Sequence, residues 1–468
     1  MTVAPRTTAP DGALGRERGF GLYLTGEFAG LVGTSVHRVA LPVLAVLELG
    51  ASAGQAALLT SLAYLPTFLL ALPAGAVVDR CPKRALLVVT DLAGAAAVAA
   101  IPAAAVLDVL TMPLLYAISL LLGAVSVLHQ AAAIAILPQL VEPDMLHRAN
   151  ARVGAAFGAA DTAGAYLGTA IVALTGAARA FWLDGLSYLV SAWCASRIRE
   201  PGRPVAHGGR RRRFTAEIGE GLAYTARTPL VRELVVALTL VGLGVGITGA
   251  LFSYHLLTTL AAGPTGLGIV MGVSGAGAFA GALLAPRLVV RFGPGRTLLA
   301  GFVVCPVAGV PLLLARPGVG WLVLIAVAGA VQLAAAGVAG TTQRALRQQI
   351  CPPRLQSRAQ QTSTWLVSGS KPFAALAGGA LATAYGVRAA LLVGTLLLAV
   401  PVAVLWRSPV SRLTALPVAP APAGDPVLAG GGHRPRPATG AAPAGVSDRR
   451  TPRPPWRRTG RGRGVRAG

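Results

Sequence analysis

The chain has 468 residues, of which only 12% are charged and 54% are hydrophobic. A soluble protein carries roughly a quarter charged residues, because its surface faces water. The mean hydropathy of +0.65 therefore excludes an ordinary soluble domain and predicts a chain surrounded by lipid. The formal net charge of +24 does not indicate a nucleic-acid-binding protein, because the basic residues lie in short patches between apolar segments and in a C-terminal tail.

Twelve apolar segments follow one another along the chain. About twenty apolar residues cross the hydrocarbon core of a bilayer as an α-helix. The sequence therefore predicts an all-α integral membrane protein with twelve transmembrane helices. We place them near 20–48, 53–78, 84–106, 112–137, 150–175, 179–196, 231–259, 265–289, 297–315, 319–342, 360–384 and 388–406.

The distribution of basic residues tests this count. If the N-terminus is cytoplasmic, the connections expected outside hold only Arg179, Arg316 and Arg388, and most other basic residues fall inside. If any one helix were left out of the count, the basic connections after it would fall on the outer side of the membrane and the poorly charged ones on the inner side. We therefore expect a multi-pass protein of the cell membrane with both termini in the cytoplasm.

The predicted helices divide the chain into five regions. The linker could form an amphipathic helix from Phe214 on the cytoplasmic leaflet, or it could be a plain solvated connection. The tail lacks a hydrophobic period, so we expect it to be disordered; its arginines could bind lipid headgroups or a partner, or have no specific role. The regions are a cytoplasmic N-terminal segment (1–19), a first six-helix bundle (20–196), a cytoplasmic linker (197–230), a second six-helix bundle (231–406) and a basic Pro/Arg-rich tail (407–468).

An internal repeat relates the two predicted bundles. With a shift of 210, Gln139–Asn150 aligns with Gln349–Gln360, and with a shift of 212, Val77–Leu87 aligns with Val289–Leu299. Each match is weak in a chain of this composition, but both place equivalent loops at equivalent points of the two halves. The repeat predicts two pseudo-symmetric six-helix bundles, as in transporters whose halves rock about a central site.

The loop after the second predicted helix carries a recognisable motif, GAVVDRCPKR. It resembles the signature loop of the major facilitator superfamily, with Pro82 where that family usually has glycine. In the family this loop latches the two halves on the inner side against the start of helix eleven, here near 358–362. The simpler alternative is that any short cytoplasmic loop is basic. The residues that match the motif are Gly75, Asp79, Arg80, Lys83 and Arg84.

Three further stretches are similar to the macrolide and siderophore efflux group of that superfamily: RVALPVLAVLELG, LPQLVEPDMLHRANA and FWLDGLSYLVSA. This resemblance implies a secondary active transporter that exports a small amphipathic organic molecule, coupled to protons, by alternating access. The helix-five stretch GAADTAGAYLGTA lacks the proline of the family's antiporter signature, so the coupling ion stays open. One alternative is uptake or facilitated transport of a metabolite, and another is a membrane scaffold or sensor that does not transport.

Charged side chains inside the membrane are the candidates for coupling and substrate binding, because each costs about 3 kcal/mol at mid-bilayer unless it faces a cavity or a partner. Asp161 falls near the midplane and is either a coupling carboxylate or a structural polar group. Lys371, at the equivalent repeat position, is either a charge that attracts substrate or part of a structural pair. The full set is Glu27, His37, Arg38, His129, Gln130, Asp161, Asp184 and Lys371.

Other chemistries find no support in the sequence. The four cysteines show no metal-binding spacing, and no nucleophile motif or nucleotide-binding loop is present. We therefore expect no enzyme activity, no cofactor and no metal site. The expected partners are a small-molecule substrate, a proton or other coupling ion and membrane lipids, with no nucleic acid, and the expected state is a monomer.

Overall fold

The computed structural model describes residues 18–142, 145–198 and 214–413. Within these ranges a few side chains are not described, those of Asp79 and Asp161 among them. The described residues form fourteen α-helices. These are α1 (Arg18–Val43), α2 (Ala53–Arg80), α3 (Lys83–Val106), α4 (Met112–Leu140), α5 (Leu146–Thr175), α6 (Ala177–Arg197), α7 (Phe214–Arg227), α8 (Pro229–Tyr254), α9 (Gly263–Phe292), α10 (Pro294–Leu314), α11 (Val319–Ile350), α12 (Pro353–Gly369), α13 (Lys371–Tyr385) and α14 (Val387–Arg407).

Nine segments of the described chain are long and apolar enough to cross a membrane. They correspond to α1–α4, α8–α11 and α14. The remaining spans are α5, α6 and the pair α12–α13, which carry more polar residues in their sequences. Hydrophobicity alone detects a helix that faces lipid better than one whose polar side chains face other helices.

One segment that was predicted as a continuous helix is interrupted in the structure. The segment predicted as a single helix at 360–384 is two helices, α12 and α13, separated at Ser370. The cause is Pro372, which has no N–H to donate and whose ring crowds the carbonyl four residues earlier. The other predicted helices agree, although several extend one or two turns beyond the apolar window.

The helix contacts repeat between the two halves. In the N-terminal half, α1 packs against α5 and α6, and α2 packs against α4. In the C-terminal half, the equivalent contacts join α8 to α13 and α14, and α9 to α11. Across the halves, α2 contacts α13 and α5 contacts α9. The described residues therefore have the two-fold repeated arrangement that the sequence repeat predicts.

Local backbone features recur at the same spacing. A π-helical turn extends α1 (Leu44–Glu48), and another extends α8 (His255–Thr259). Gly176, between α5 and α6, has φ 84°, and Gly386, between α13 and α14, has φ 87°. Only glycine adopts such angles without strain, so these two residues allow the sharp turn between paired helices.

The apolar packing differs between the two ends of the molecule. We call the end where α1 begins and α14 ends the terminal face, and the opposite end, which holds the two π-helical turns, the distal face. At the distal face, one apolar core contains residues of both halves, such as Leu44, Val46 and Leu257. At the terminal face, separate cores form within the N-terminal half around Ile136 and within the C-terminal half around Leu346. The halves are therefore joined by apolar packing mainly at the distal face.

Helix α7 precedes the second half and lies along α12 and α8. Tyr224 packs against Cys351, Leu355 and Ala359, and its hydroxyl donates to the carbonyl of Ile350 at 3.4 Å. Of the two alternatives for the linker, a helix from Phe214 is present, and one side of it packs on protein; its placement on the leaflet stays a prediction. Burial raises the pKa of the Tyr224 phenol, which accordingly acts as a donor at neutral pH.

Candidate functional site

A cluster of titratable side chains lies inside the N-terminal half. His129 of α4 stands between two carboxylates, with Nδ1 at 3.0 Å from Asp91 Oδ1 and Nε2 at 3.2 Å from Glu27 Oε1. Asp91 comes from α3 and is only 2% exposed, and Glu27 comes from α1. We call these three residues the carboxylate–imidazole cluster. It ties α1, α3 and α4 together through charge-assisted hydrogen bonds.

The surroundings of this cluster leave one polar atom without a partner. Asp91 Oδ2 is buried and has no hydrogen-bond partner among the described residues. A small cavity of about 10 Å³ adjoins the cluster, lined by Tyr23, Gly26 and Ser191 as well as the cluster itself. That volume is about the minimum for one water molecule. The site therefore contains polar groups and is just large enough for a single solvent molecule.

A second buried pair lies nearer the distal face. His37 Nδ1 of α1 is 3.0 Å from Asp184 Oδ2 of α6, and Asp184 is 1% exposed. The imidazole also meets the Phe181 ring edge-on, with ring centroids 5.3 Å apart. Gly33 makes the approach of α1 to α6 possible, because a Cβ there would lie 2.7 Å from Asp184 Oδ1. We call His37 and Asp184 the distal pair.

A cavity large enough for a small organic molecule lies in the C-terminal half. It has a volume of about 310 Å³ and is lined mainly by apolar residues of α8, α9, α10, α11 and α14. Gln332 reaches it, and its amide donates to the carbonyl of Cys305 at 2.7 Å. Among the described residues, those of the other half that line it all come from α1, namely Ser35, Arg38 and Val39. Cavities of this size and composition bind small organic molecules.

Lys371 lies where α12 meets α13, beside the other half. Its ammonium is 5.3 Å from the centroid of the Tyr64 ring of α2, a cation–π contact. Nearby, Phe68 of α2 stacks on Trp365 with centroids 5.3 Å apart, and the Trp365 indole donates to the Phe68 carbonyl at 2.9 Å. Lys371 is thus part of the contact between halves and does not line the cavity.

The structure separates the predicted site residues into different places. It brings Glu27 together with His129, and His37 together with Asp184, whereas Arg38 lines the cavity. The side-chain amide of Gln130 donates to Ser126 on its own helix and joins neither cluster. The side chain of Asp161 lies outside the described residues, so its role stays a prediction.

The motif loop between α2 and α3 is described only in part. Lys83 Nζ donates to the carbonyls of Val78 and Cys81, which caps the end of α2. Gly75 has open space where a Cβ would be. The Asp79 side chain lies outside the described residues, and the latch role of Asp79, Arg80 and Arg84 stays a prediction.

Sequence reasoning missed Asp91. It lies in the apolar run LLVVTDLAGAAAV. A carboxylate within such a run costs as much free energy in the membrane as the charged residues that were chosen as candidates. That interruption was a usable signal. Its partners, at 64 and 38 residues' distance in the chain, give no local pattern, so the cluster itself becomes visible only once the helices pack.

Comparisons with known proteins agree with this fold. The model of a family described as transmembrane secretion effector, in the major facilitator superfamily, matches residues 16–429. No similar sequence was found among curated proteins.

Solved transporters of several kinds resemble the structure. A mutant of the nucleoside transporter NupG matches with TM-score 0.71 at 11% identity, covering 83% of this chain and 98% of that one. A bacterial homologue of the iron transporter ferroportin, in an inward-facing state, matches with TM-score 0.65 at 16% identity, covering 83% and 98%. The E. coli fucose:proton symporter matches with TM-score 0.55 at 16% identity, again covering 83% and 98%.

At these identities the likeness to solved structures shows the fold alone. The fold is the twelve-helix arrangement that these solved transporters share, and the family whose model matches is one of transporters and not of enzymes. The family match covers most of the sequence and includes every described residue. The chain therefore belongs to the transmembrane secretion effector family of the major facilitator superfamily.

Proposed function

We propose that this secondary transporter exports a small amphipathic organic molecule of the drug, antibiotic or siderophore class, driven by protons. The observation that carries the proposal is the cavity of about 310 Å³ in the C-terminal half. Apolar walls with a few polar groups favour an organic ligand that is mainly apolar. The family description, a secretion effector, supports the outward direction.

The asymmetric packing of the two faces supports alternating access. The apolar core shared by both halves at the distal face excludes water there. The terminal-face cores stay within their own halves, so the halves can part there without breaking a common core. With both termini in the cytoplasm, this is a state that loads substrate from the cytoplasm.

An efflux assay tests the proposal. A bacterial host that lacks its main efflux pumps is made to express the chain, and accumulation of fluorescent organic cations and antibiotics is measured with and without a protonophore. We expect lower accumulation of at least one compound, reversed by the protonophore. No change across the panel in cells that contain folded protein, or increased accumulation, would overturn export and favour metabolite uptake or a role without transport.

A matched pair of variants links the assay to the cavity. Ala328→Trp places an indole among the cavity-lining residues of α11, so export should fall to background. Ala280→Trp adds the same side chain on the exposed side of α9, away from the cavity lining, and should keep export. Equal activity of the two variants would show that substrate does not use this cavity.

The motif loop is the proposed latch between the halves. Asp79→Asn should slow the transport cycle more than it weakens substrate binding, because the motif acts on the conformational change. Export rate in cells and ligand affinity of the purified protein measure the two effects. Unchanged turnover with lost affinity would contradict this role.

A further inference from the structure

We propose that the carboxylate–imidazole cluster of Glu27, Asp91 and His129 is a proton-binding site, whose occupancy controls the opening of the terminal face. The inference rests on the proposed function for its role in export. It goes beyond that function because it assigns the proton to an enclosed site in the half that does not hold the cavity.

The geometry of His129 requires a defined number of protons. A neutral imidazole has one N–H to donate, and an imidazolium has two. Both ring nitrogens of His129 face carboxylate oxygens at hydrogen-bond distance, 3.0 Å and 3.2 Å. When both carboxylates are ionised, only the protonated ring satisfies both contacts. Loss of that proton sets a nitrogen lone pair against an oxygen lone pair and loosens one contact.

The contact that loosens joins transmembrane helices. Asp91 belongs to α3, His129 to α4 and Glu27 to α1, so the proton holds three helices of one half together. Inside a protein such contacts are stronger than in water because the local dielectric is low. Binding and release of one proton therefore changes the packing of α1, the helix that also contributes Ser35 and Arg38 to the cavity.

Other titratable groups surround the cluster and the distal pair. Tyr23 of α1 and Cys194 of α6 lie near the cluster, and each interacts electrostatically with one of its carboxylates. Tyr188 of α6 packs against Gly94 of α3 and interacts with both Asp91 and Asp184. The Asp161 side chain of α5 is outside the described residues. Tyr188 thus lies near both the cluster and the distal pair.

The donor arrangement favours a proton over a metal ion. Each imidazole nitrogen faces a carboxylate within hydrogen-bond distance, and while the ring is protonated neither nitrogen has a lone pair for a cation. Among the described residues no group of three or more His, Cys, Asp or Glu has an arrangement suited to a metal. The adjoining cavity of about 10 Å³ has room for one water molecule, which can carry the proton to the site.

The first test measures opening directly, without substrate. Spin labels at Gln139 of α4 and Gln348 of α11, both exposed near the terminal face, report the distance between halves in the full chain with its native cysteines replaced. We expect the distance distribution to shift between pH 5 and pH 9. Asp91→Asn and Glu27→Gln should each abolish the shift. Asp108→Asn, an exposed carboxylate in the loop after α3, should keep it.

The outcomes are separable from those of the proposed function. A shift that survives in both cluster variants, or no shift in the parent protein, overturns the inference whatever the chain transports. If Asp91→Asn does not fold, Glu27→Gln decides, because its side chain is less buried. A shift abolished by Asp161→Asn but not by the cluster variants also overturns it. Saturable Mn²⁺ or Zn²⁺ binding that both cluster variants remove would assign the site to a metal instead.

Transport completes the test in liposomes, with ethidium as the probe. The cluster variants should lose transport driven by a proton gradient while keeping ethidium exchange at equal concentrations, which needs no proton movement. Loss of both activities in folded protein would make the cluster structural and contradict the inference. No ethidium movement by the parent protein would bear on the proposed substrate class, and the spin-label result would still decide the proton site.

Discussion

The two halves share a fold but differ in their acidic residues. From 18 to 197 the sequence has nine: Glu27, Glu48, Asp79, Asp91, Asp108, Glu142, Asp144, Asp161 and Asp184. From 229 to 413 it has one, Glu233. The described titratable clusters lie in the first half and the cavity lies almost wholly in the second. This division agrees with the two proposals, which place proton binding in one half and the organic molecule in the other.

Two kinds of contact hold the helices of the halves together, buried polar contacts and close approaches of backbones. Buried polar contacts such as His37–Asp184 join helices of the N-terminal half. In the C-terminal half, small residues let backbones approach closely, as where Gly277 and Gly281 of α9 meet the backbone of Ala330 and Ala334. Four substitutions test this comparison, from the largest expected change in stability to the smallest.

Asp184→Ala should break the polar contact of the N-terminal half. It leaves the His37 imidazole without its carboxylate partner. Removing one partner from a buried pair lowers the free energy of unfolding by about 3 kcal/mol or more. The midpoint of thermal unfolding in detergent should fall clearly, whereas Asp108→Asn, which keeps a residue that tolerates the left-handed φ of 53°, should leave it nearly unchanged. Equal midpoints for the two variants would show that the distal pair contributes nothing to stability.

Gly277→Ala should disturb the close helix contact of the C-terminal half. The new Cβ would collide with the Ala330 carbonyl, and overpacking of this kind costs about 2 kcal/mol. Gly249→Ala is the matched control, because it meets open space in α8. Thermal unfolding of both variants measures the difference, and a Gly277→Ala protein as stable as its control would refute close packing of α9 on α11.

Trp365→Phe should weaken the contact between the halves. It keeps an aromatic ring on Phe68 but removes the indole donor to the Phe68 carbonyl, a loss of about 1 kcal/mol. Spin labels across the terminal face should report a larger separation at fixed pH. An unchanged distance distribution would mean that this hydrogen bond does not restrain opening.

Ala261→Gly should stabilise the second half slightly. Ala261 has φ 49°, a left-handed conformation that costs a non-glycine residue roughly 1 kcal/mol. Because glycine loses more entropy on folding, the net gain should be about 0.5 kcal/mol. A lower unfolding midpoint for the variant would contradict the strain at this position.

The sequence predicted the helices well because their signal is local. A run of apolar residues marks a span whatever surrounds it, and the repeat marks equivalent loops. The break at Ser370 was missed although Pro372 was visible, because proline is tolerated in many membrane helices; α3 contains Pro102 without a break. Continuity depends on the neighbouring helices, which the local sequence does not specify.

The sequence predicted several residues of the site, but it did not predict which of them contact one another. Glu27, His37, His129 and Asp184 were selected because charge is costly in lipid. Their pairing depends on helix rotation: Glu27 and His37 share α1 yet contact different helices. Rotation is set by packing of many small residues, such as Gly33 against Asp184, and no single stretch of sequence encodes it.

The paired π-helical turns at the distal face bear on the origin of the two halves. The π-helical turns of α1 and α8 are 211 residues apart, and the left-handed residues that follow them, Gly50 and Ala261, keep the same offset. Backbone geometry this unusual is inherited more readily than invented twice. Duplication of a six-helix unit would account for the same turn at the same place in both halves. Glycine at 50 and alanine at 261 show that the second half tolerates a residue unsuited to this backbone shape.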